Sequence, residues 1–268
     1  MLAAFAQVLL AALGLSGAPP ADPVGSLTPH EKAALVVVSG LPAPDGVGGI
    51  LVQPWSRGLP RPAGALVFVD QEGGGVRAFS ELPPTAAASA LATRADAFAA
   101  GRATGRALRK EGVDVDLAPV LDLAGGPLGS RHYGSPALGL AFARGLAAGG
   151  VLGCAKHFPG LGTAAHSTDT TVFVPARITA PRAYRTLRRW GFDGVVVTDS
   201  LSIFRTGPWP VRWAKQALRA GADLVLYTSA AQARRGIEAL VPLARSGELD
   251  EHVRRVLAFR AAAGLSGP

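Results

Sequence analysis

The chain has 268 residues, of which 49% are hydrophobic and 17% charged. That length suits one domain with a large core, and the low charge and high apolar content exclude disorder for the body of the chain. The net charge of +8 is carried almost wholly by arginine, since Lys32, Lys110, Lys156 and Lys215 are the only lysines; with no basic stripe interleaved with aromatics, it reads as solvated helix faces and not as a nucleic-acid surface.

Residues 2–15 are almost wholly apolar and are followed by small residues and Pro19-Pro20. The pattern matches a secretory leader, although no Lys or Arg precedes it. The stretch is short for a stable membrane span. The expectation is a signal-peptide-like leader and linker over 1–26 and a secreted or cell-envelope location. The alternative is an apolar leader on a cytoplasmic protein. Cys154 is the only cysteine, so no disulfide within the chain and no Cys-based zinc site are possible, and its apolar setting predicts a buried thiol.

From residue 27 to 268 the sequence reads as one domain. Thr28 as cap, Pro29 in the first turn and Glu31 after it predict a helix at about 29–35. Beyond it, short β-branched apolar runs alternate with Ala/Arg/Leu-rich segments of helical spacing, the pattern of a parallel α/β sheet. Strands are predicted near 34–39, 48–53, 65–70, 113–120, 151–157, 194–199 and 223–228. Helices are predicted near 94–111, 135–149, 180–190, 210–220, 230–246 and 249–263. The fold class is α/β, a TIM-type (β/α) barrel. The interval 170–190 holds room for a short strand near 171–175 and a short helix, so the barrel is expected to be shortened or irregular around its sixth strand.

Barrel enzymes place their chemistry where strands end. Leu66–Val69 runs into Asp70, Gln71 and Glu72. Ala118–Leu121 runs into Asp122. The run through Ala155 reaches Lys156-His157, and Val195–Val197 reaches Thr198-Asp199-Ser200. Convergence of these ends on one rim would make a polar pocket with several carboxylates and a lysine. A retaining glycosidase needs such a rim, with one carboxylate to attack the anomeric carbon and a second group to protonate the leaving oxygen. Asp199, held at a strand end between small residues, is the natural nucleophile. Asp70, Lys156 and Arg131 suit sugar hydroxyls.

These segments resemble glycoside hydrolase family 3, in particular its single-domain bacterial β-N-acetylhexosaminidase branch. The likeness is carried by Asp70–Gly74, Val113–Asp122, Arg131–Gly134, Lys156-His157-Phe158-Pro159-Gly160, Gly191–Leu201 and Gly221–Leu226, in the family's order. The resemblance implies Asp199 as nucleophile and Asp70, Arg131, Lys156 and His157 as contacts to the sugar. It also implies an acid/base Asp-x-His dyad on the loop after Gly160. Here that loop reads Leu161–Thr170, with Asp169 where the family has His and His166 just before the family's Asp. Both residue types are present, in reversed order. An imidazole titrates near neutrality unaided, which favours His166 as acid/base with Asp169 orienting it. Asp169 acting directly is the alternative. An Arg that the family places after the glycine run falls at Ala78, beside Arg77.

The implied activity is removal of terminal β-N-acetylglucosamine, from peptidoglycan fragments among other glycans. The rival reading is a catalytically impaired barrel of the cell envelope that binds glycans without turning them over. The expected partner is a carbohydrate, with no nucleic acid, no stable membrane span and a monomeric state. No cofactor and no metal are expected. Gly160–Ala165 matches a dinucleotide fingerprint only on paper, since the acidic residue further on is missing. Asp122 and Asp223 are read equally well as ties between strand ends and loops.

Overall fold

The computed structural model describes residues 22–122, 128–157, 189, 191–192, 194–203 and 209–265. Its first element is α1 (Pro29–Leu35), where Thr28 and Glu31 form a capping box and Pro29 opens the helix. Then come β1 (Val37–Gly40), β2 (Gly49–Leu51) and β3 (Leu66–Val69). A hairpin of β4 (Gln71–Gly73) and β5 (Val76–Arg77) follows directly. The chain continues as α2 (Arg94–Lys110), β6 (Val115–Asp116), α3 (Pro136–Ala148), β7 (Leu152–Gly153), β8 (Val197–Ser200), α4 (Trp209–Arg219), β9 (Leu224–Tyr227), α5 (Ala230–Arg245) and α6 (Asp250–Ala262).

Seven strands form one sheet in the order β7-β6-β3-β2-β1-β9-β8, and every pairing within it is parallel. β1, β2 and β3 are neighbours in the sheet as in the chain, β6 and β7 follow on the far side of β3, and β9, paired with β8, returns beside β1. This is the connectivity of a (β/α) barrel. The sheet's outer strands among the described residues are β7 and β8. The intervening chain includes 158–188, so the expected irregularity, the strand near 171–175 and nearly all of the helix near 180–190 lie outside the described residues.

Alternation along the strands sorts the core into two faces. Val38, Leu51, Leu66, Phe68, Val115, Leu117, Leu224 and Leu226 belong to one buried cluster, the barrel interior. Val37, Ile50, Val52, Val67, Val69, Val225 and Tyr227 belong to another, which includes Leu218, Ile237 and Leu240 from the helices. Val256 of α6 joins the interior cluster, with Phe259 packed beside it, so the last helix lines that cluster as well. On the outside, α2 and α3 approach closely at glycines. A Cβ at Gly101 would strike the Phe142 carbonyl, and one at Gly145 the Phe98 carbonyl.

Strands β6 and β7 are shorter than the predicted 113–120 and 151–157. Pro119 interrupts the regular ladder, because it has no N–H to give. Pairing resumes past it, where Lys156 N donates to the Pro119 carbonyl at 3.0 Å and Leu121 N to the Lys156 carbonyl at 2.6 Å. Val120 and Lys156 form an isolated parallel bridge. These bonds carry the rim up to the residues with chemistry.

Candidate active site

Because the strands of the sheet are parallel, the C-terminal ends of β3, β6, β7 and β8 lie at one end of it. Asp70 follows β3, Asp122 and Lys156-His157 follow the extensions of β6 and β7, and Asp199 is the penultimate residue of β8.

The centre of the described site is Lys156. Its Nζ lies 2.6 Å from Oδ1 of Asp70 and 2.6 Å from Oε1 of Glu72. Glu72 is buried and also takes a two-pronged bond from Arg131, with Nε to Oε2 and Nη2 to Oε1, each at 2.8 Å. Fork-to-carboxylate pairs of this kind are the strong ones. Burial pushes the Glu72 carboxyl up, but the hydrogen bond and charge of Arg131 and those of Lys156 outweigh it and hold it below the usual glutamate range. For Lys156, burial opposes the charge, while Asp70 and Glu72 overcome it and raise the ammonium above its ordinary value. An ammonium has three protons. Among the described residues two are used on the carboxylates, and one remains for a ligand oxygen. Asp70 has 36% of its side chain exposed, so it is the carboxylate of the pair that meets the pocket.

His157 is fixed by Asp122. Oδ2 of Asp122 accepts from the His157 amide at 3.0 Å and lies 2.7 Å from Nδ1 of its ring. Asp122 therefore ties one strand end to the next and orients the imidazole, so that Nε2 is the ring nitrogen offered elsewhere. Asp223 is a tie of another kind. It precedes β9, at the opposite end of the sheet, and accepts from the Val196 amide, from Arg255 and from the His252 ring.

Asp199 lies in an irregularity of β8. The register with β9 runs Val197↔Leu224 and then Ser200↔Leu226, which places one extra residue in β8. Such bulges re-aim side chains near sites. Its neighbours are both anchored at β9 or just beyond it: Thr198 Oγ1 accepts from the Leu226 amide at 3.1 Å, and Ser200 Oγ lies 3.3 Å from Thr228 Oγ1, one residue past the strand. The Asp199 carboxylate is left exposed, with Oδ1 accepting from the Ser200 amide at 2.7 Å.

The structure thus joins Asp70, Lys156 and Arg131 in one cluster, with His157 beside Lys156 in the chain and Asp199 at the same end of the sheet. His166 and Asp169 lie outside the described residues. Glu72, the shared counter-ion of Arg131 and Lys156, was not among the expected site residues. The available signal was its spacing: residues 70 and 72 of an extended segment point the same way. Arg77 does not replace the family's arginine in this cluster. Its Nε donates to the Gly74 carbonyl at 2.9 Å and its Nη1 to that of Ser80. Cys154 is half-buried against the barrel interior, and burial pushes its thiol up to about 11. No helix among the described residues is long and apolar enough to cross a membrane.

Comparison with known proteins identifies the family of this barrel. The model of the glycosyl hydrolase family 3 N-terminal domain matches residues 56–180 and 184–259. A beta-hexosaminidase of Stenotrophomonas maltophilia (strain R551-3) is 36% identical over 135 residues, 44% of this chain and 40% of its own. The beta-hexosaminidase LpqI of Mycobacterium tuberculosis (strain ATCC 25618 / H37Rv) is 33% identical over 184 residues, 55% of this chain and 47% of its own. The chain therefore spans less than half the length of these curated relatives in the matched part. Among solved structures, a family 3 glycosyl hydrolase of Mycobacterium smegmatis superposes with a TM-score of 0.72 at 27% identity, covering 91% of this chain and 98% of that one. The M. tuberculosis LpqI structure gives 0.72 at 26% identity, covering 90% and 96%. With a parallel barrel sheet, a charged cluster at its strand ends and a family match over most of its length, the chain belongs to glycosyl hydrolase family 3.

Proposed function

We propose that this protein is a retaining glycoside hydrolase that removes terminal β-N-acetylglucosamine from glycans, peptidoglycan fragments among them. The observation that carries the reading is the Asp70–Lys156–Glu72–Arg131 cluster at the strand ends that also bear Asp199. Two matched relatives are named beta-hexosaminidases, which supports the sugar class. In this reading a sugar hydroxyl donates to Asp70 and another accepts the remaining proton of Lys156, while Nε2 of His157 meets a third. Glu72 stays out of contact with the sugar and keeps Lys156 and Arg131 in place.

The Asp199 carboxylate attacks C1 as a proton passes to the leaving oxygen, and a glycosyl ester forms. Water then gives its proton to the same acid/base group and attacks C1, which releases the sugar with retained configuration and frees Asp199. We assign the proton transfer to His166, oriented by Asp169. We further propose one barrel domain over 27–268, acting as a monomer and, from the apolar stretch 2–15, in a secreted or cell-envelope setting.

The reversed order of His166 and Asp169 favours one rival, a glycan-binding barrel without turnover. The test is hydrolysis of an aryl N-acetyl-β-glucosaminide beside calorimetric binding of N-acetylglucosamine. Turnover supports the enzyme, binding without turnover the rival, and neither would remove the sugar-site reading.

A further inference from the structure

Asp116 lies on β6 between Val115 and Leu117, both members of the barrel-interior cluster, so its side chain faces the other way, toward the helices. It is fully buried. Its Oδ1 accepts from the Gln71 amide at 2.9 Å, and its Oδ2 has no partner among the described residues. Gln71 is fully buried too. Its Nε2 donates to the carbonyls of Phe79 and Pro83 at 3.0 Å each, and its Oε1 accepts from the Phe79 amide at 3.0 Å. Gln71 is therefore pinned through both its backbone and its side chain. The residues on either side of it are Asp70 and Glu72, the two carboxylates that grip Lys156.

We propose that Asp116 is a positioning residue for the pocket: its buried carboxyl anchors the Gln71 amide and so sets the spread of Asp70 and Glu72 about the Lys156 ammonium. The proposal rests on the reading of this cluster as the sugar site and deepens it. A backbone amide held from one side and a side chain held from the other leave the segment 70–72 little freedom, which is what a cluster with 2.6 Å contacts on two carboxylates requires.

The protonation of Asp116 fits this role. Burial pushes its carboxyl up to about 8; the Gln71 amide and Lys156 oppose the shift, and Asp70 and Glu72 add to it. The other titratable groups that feel its charge are Tyr133 and Cys154, both held above their ordinary values chiefly by burial. At neutral pH Asp116 is then an uncharged acid. It holds the amide without adding a third negative charge beside Asp70 and Glu72. Ionised, it would compete with them for Lys156.

The test compares Asp116→Asn and Asp116→Ala with the wild type across pH. Asn keeps an acceptor for the Gln71 amide and cannot ionise; Ala offers neither. With an aryl N-acetyl-β-glucosaminide, the wild type is expected to show KM rising as pH passes about 8, and Asn a flat KM near the neutral wild-type value. Ala is expected to raise KM on the order of tenfold or more at every pH, with a much smaller change in kcat. If Ala fails to fold, the Asn comparison still decides. A second readout needs no turnover. The Gln71 amide proton shift should titrate with a midpoint near 8 in the wild type and stay flat in Asn. A Gln71 amide whose shift neither titrates nor moves in Asn or Ala overturns the anchoring role. A wild type that neither binds nor hydrolyses the glycoside, with that titration present, overturns only the sugar-site reading. An Ala variant with wild-type KM and pH profile overturns the positioning role.

Discussion

Nζ of Lys156 and Oε1 of Glu72 lie 2.6 Å apart, and the same carboxylate takes two bonds from Arg131. Among the described residues, Glu72 is therefore the anion that joins the two cations. Glu72→Ala is expected to destabilise the fold by about 3 kcal/mol, because it removes the buried carboxylate that Lys156 and Arg131 share. Glu72→Gln keeps the shape and loses the charge, so its cost should be smaller, with a raised KM for glycosides. Urea unfolding and steady-state kinetics on both variants check this. Wild-type stability in Glu72→Ala would contradict the shared counter-ion.

Stability should depend on pH through two groups with opposite signs. Glu72 is lowered in the fold from an ordinary value of 4.5. Its contribution is fully present above that pH and is lost as pH falls through the lowered value. Asp116 has an ordinary value of 3.8 and is pushed up to about 8. Between those values the folded chain holds a proton that the unfolded chain has released, so this contribution declines as pH rises through the window and levels off above it. Asp116→Asn removes the second slope. Thermal midpoints measured from pH 4 to 9 should fall less steeply on the alkaline side for the variant, and parallel curves would contradict the raised Asp116.

Thr198 and Leu226 test the bulge that presents Asp199. Thr198→Val keeps the volume of the side chain and removes the acceptor for the Leu226 amide. An orphaned buried amide costs about 1–3 kcal/mol. Since the change re-aims Asp199 and leaves the Lys156 cluster alone, kcat should fall more than KM changes. Thr198→Ser, which retains the oxygen, should recover most of the loss. Equal kinetics in all three proteins would separate the bulge from catalysis.

The barrel was legible because its strands are short β-branched runs with one residue in two facing the interior. Each of the seven predicted strands overlaps one in the sheet, and Thr28, Pro29 and Glu31 mark α1 as expected. Strand-end polarity put Asp70 and Lys156 on one rim, but the 2.6 Å contact between them was not read from it. What was not legible depended on short-range turns and on partners far apart in sequence. The β4–β5 hairpin is built on Gly73 and Gly74, both at positive φ, and its strands are too short to show a period. Asp116 sits in an alternating run whose apolar members hide that the polar ones are buried as well. Glu72 gains its meaning only from Arg131, which is 59 residues away.

The proton donor is tested by leaving-group dependence. His166→Ala should slow an aryl glycoside with a poor leaving group far more than one with a good leaving group, because only the former needs the proton early. Asp169→Ala should act in the same sense but more weakly if it orients His166. Equal slowing of both substrates by His166→Ala, or none, would transfer the role to Asp169.

The nucleophile is tested most directly with Asp199→Ala and added azide. The wild type should hydrolyse an activated aryl N-acetyl-β-glucosaminide with retention. The variant, with an unchanged circular dichroism spectrum, should lose orders of magnitude in turnover. Azide should then enter the space left by the carboxylate, restore aryl release and yield the α-glycosyl azide. Unchanged turnover in Asp199→Ala, or a wild-type product with inverted configuration, would contradict Asp199 as the nucleophile of a retaining glycosidase.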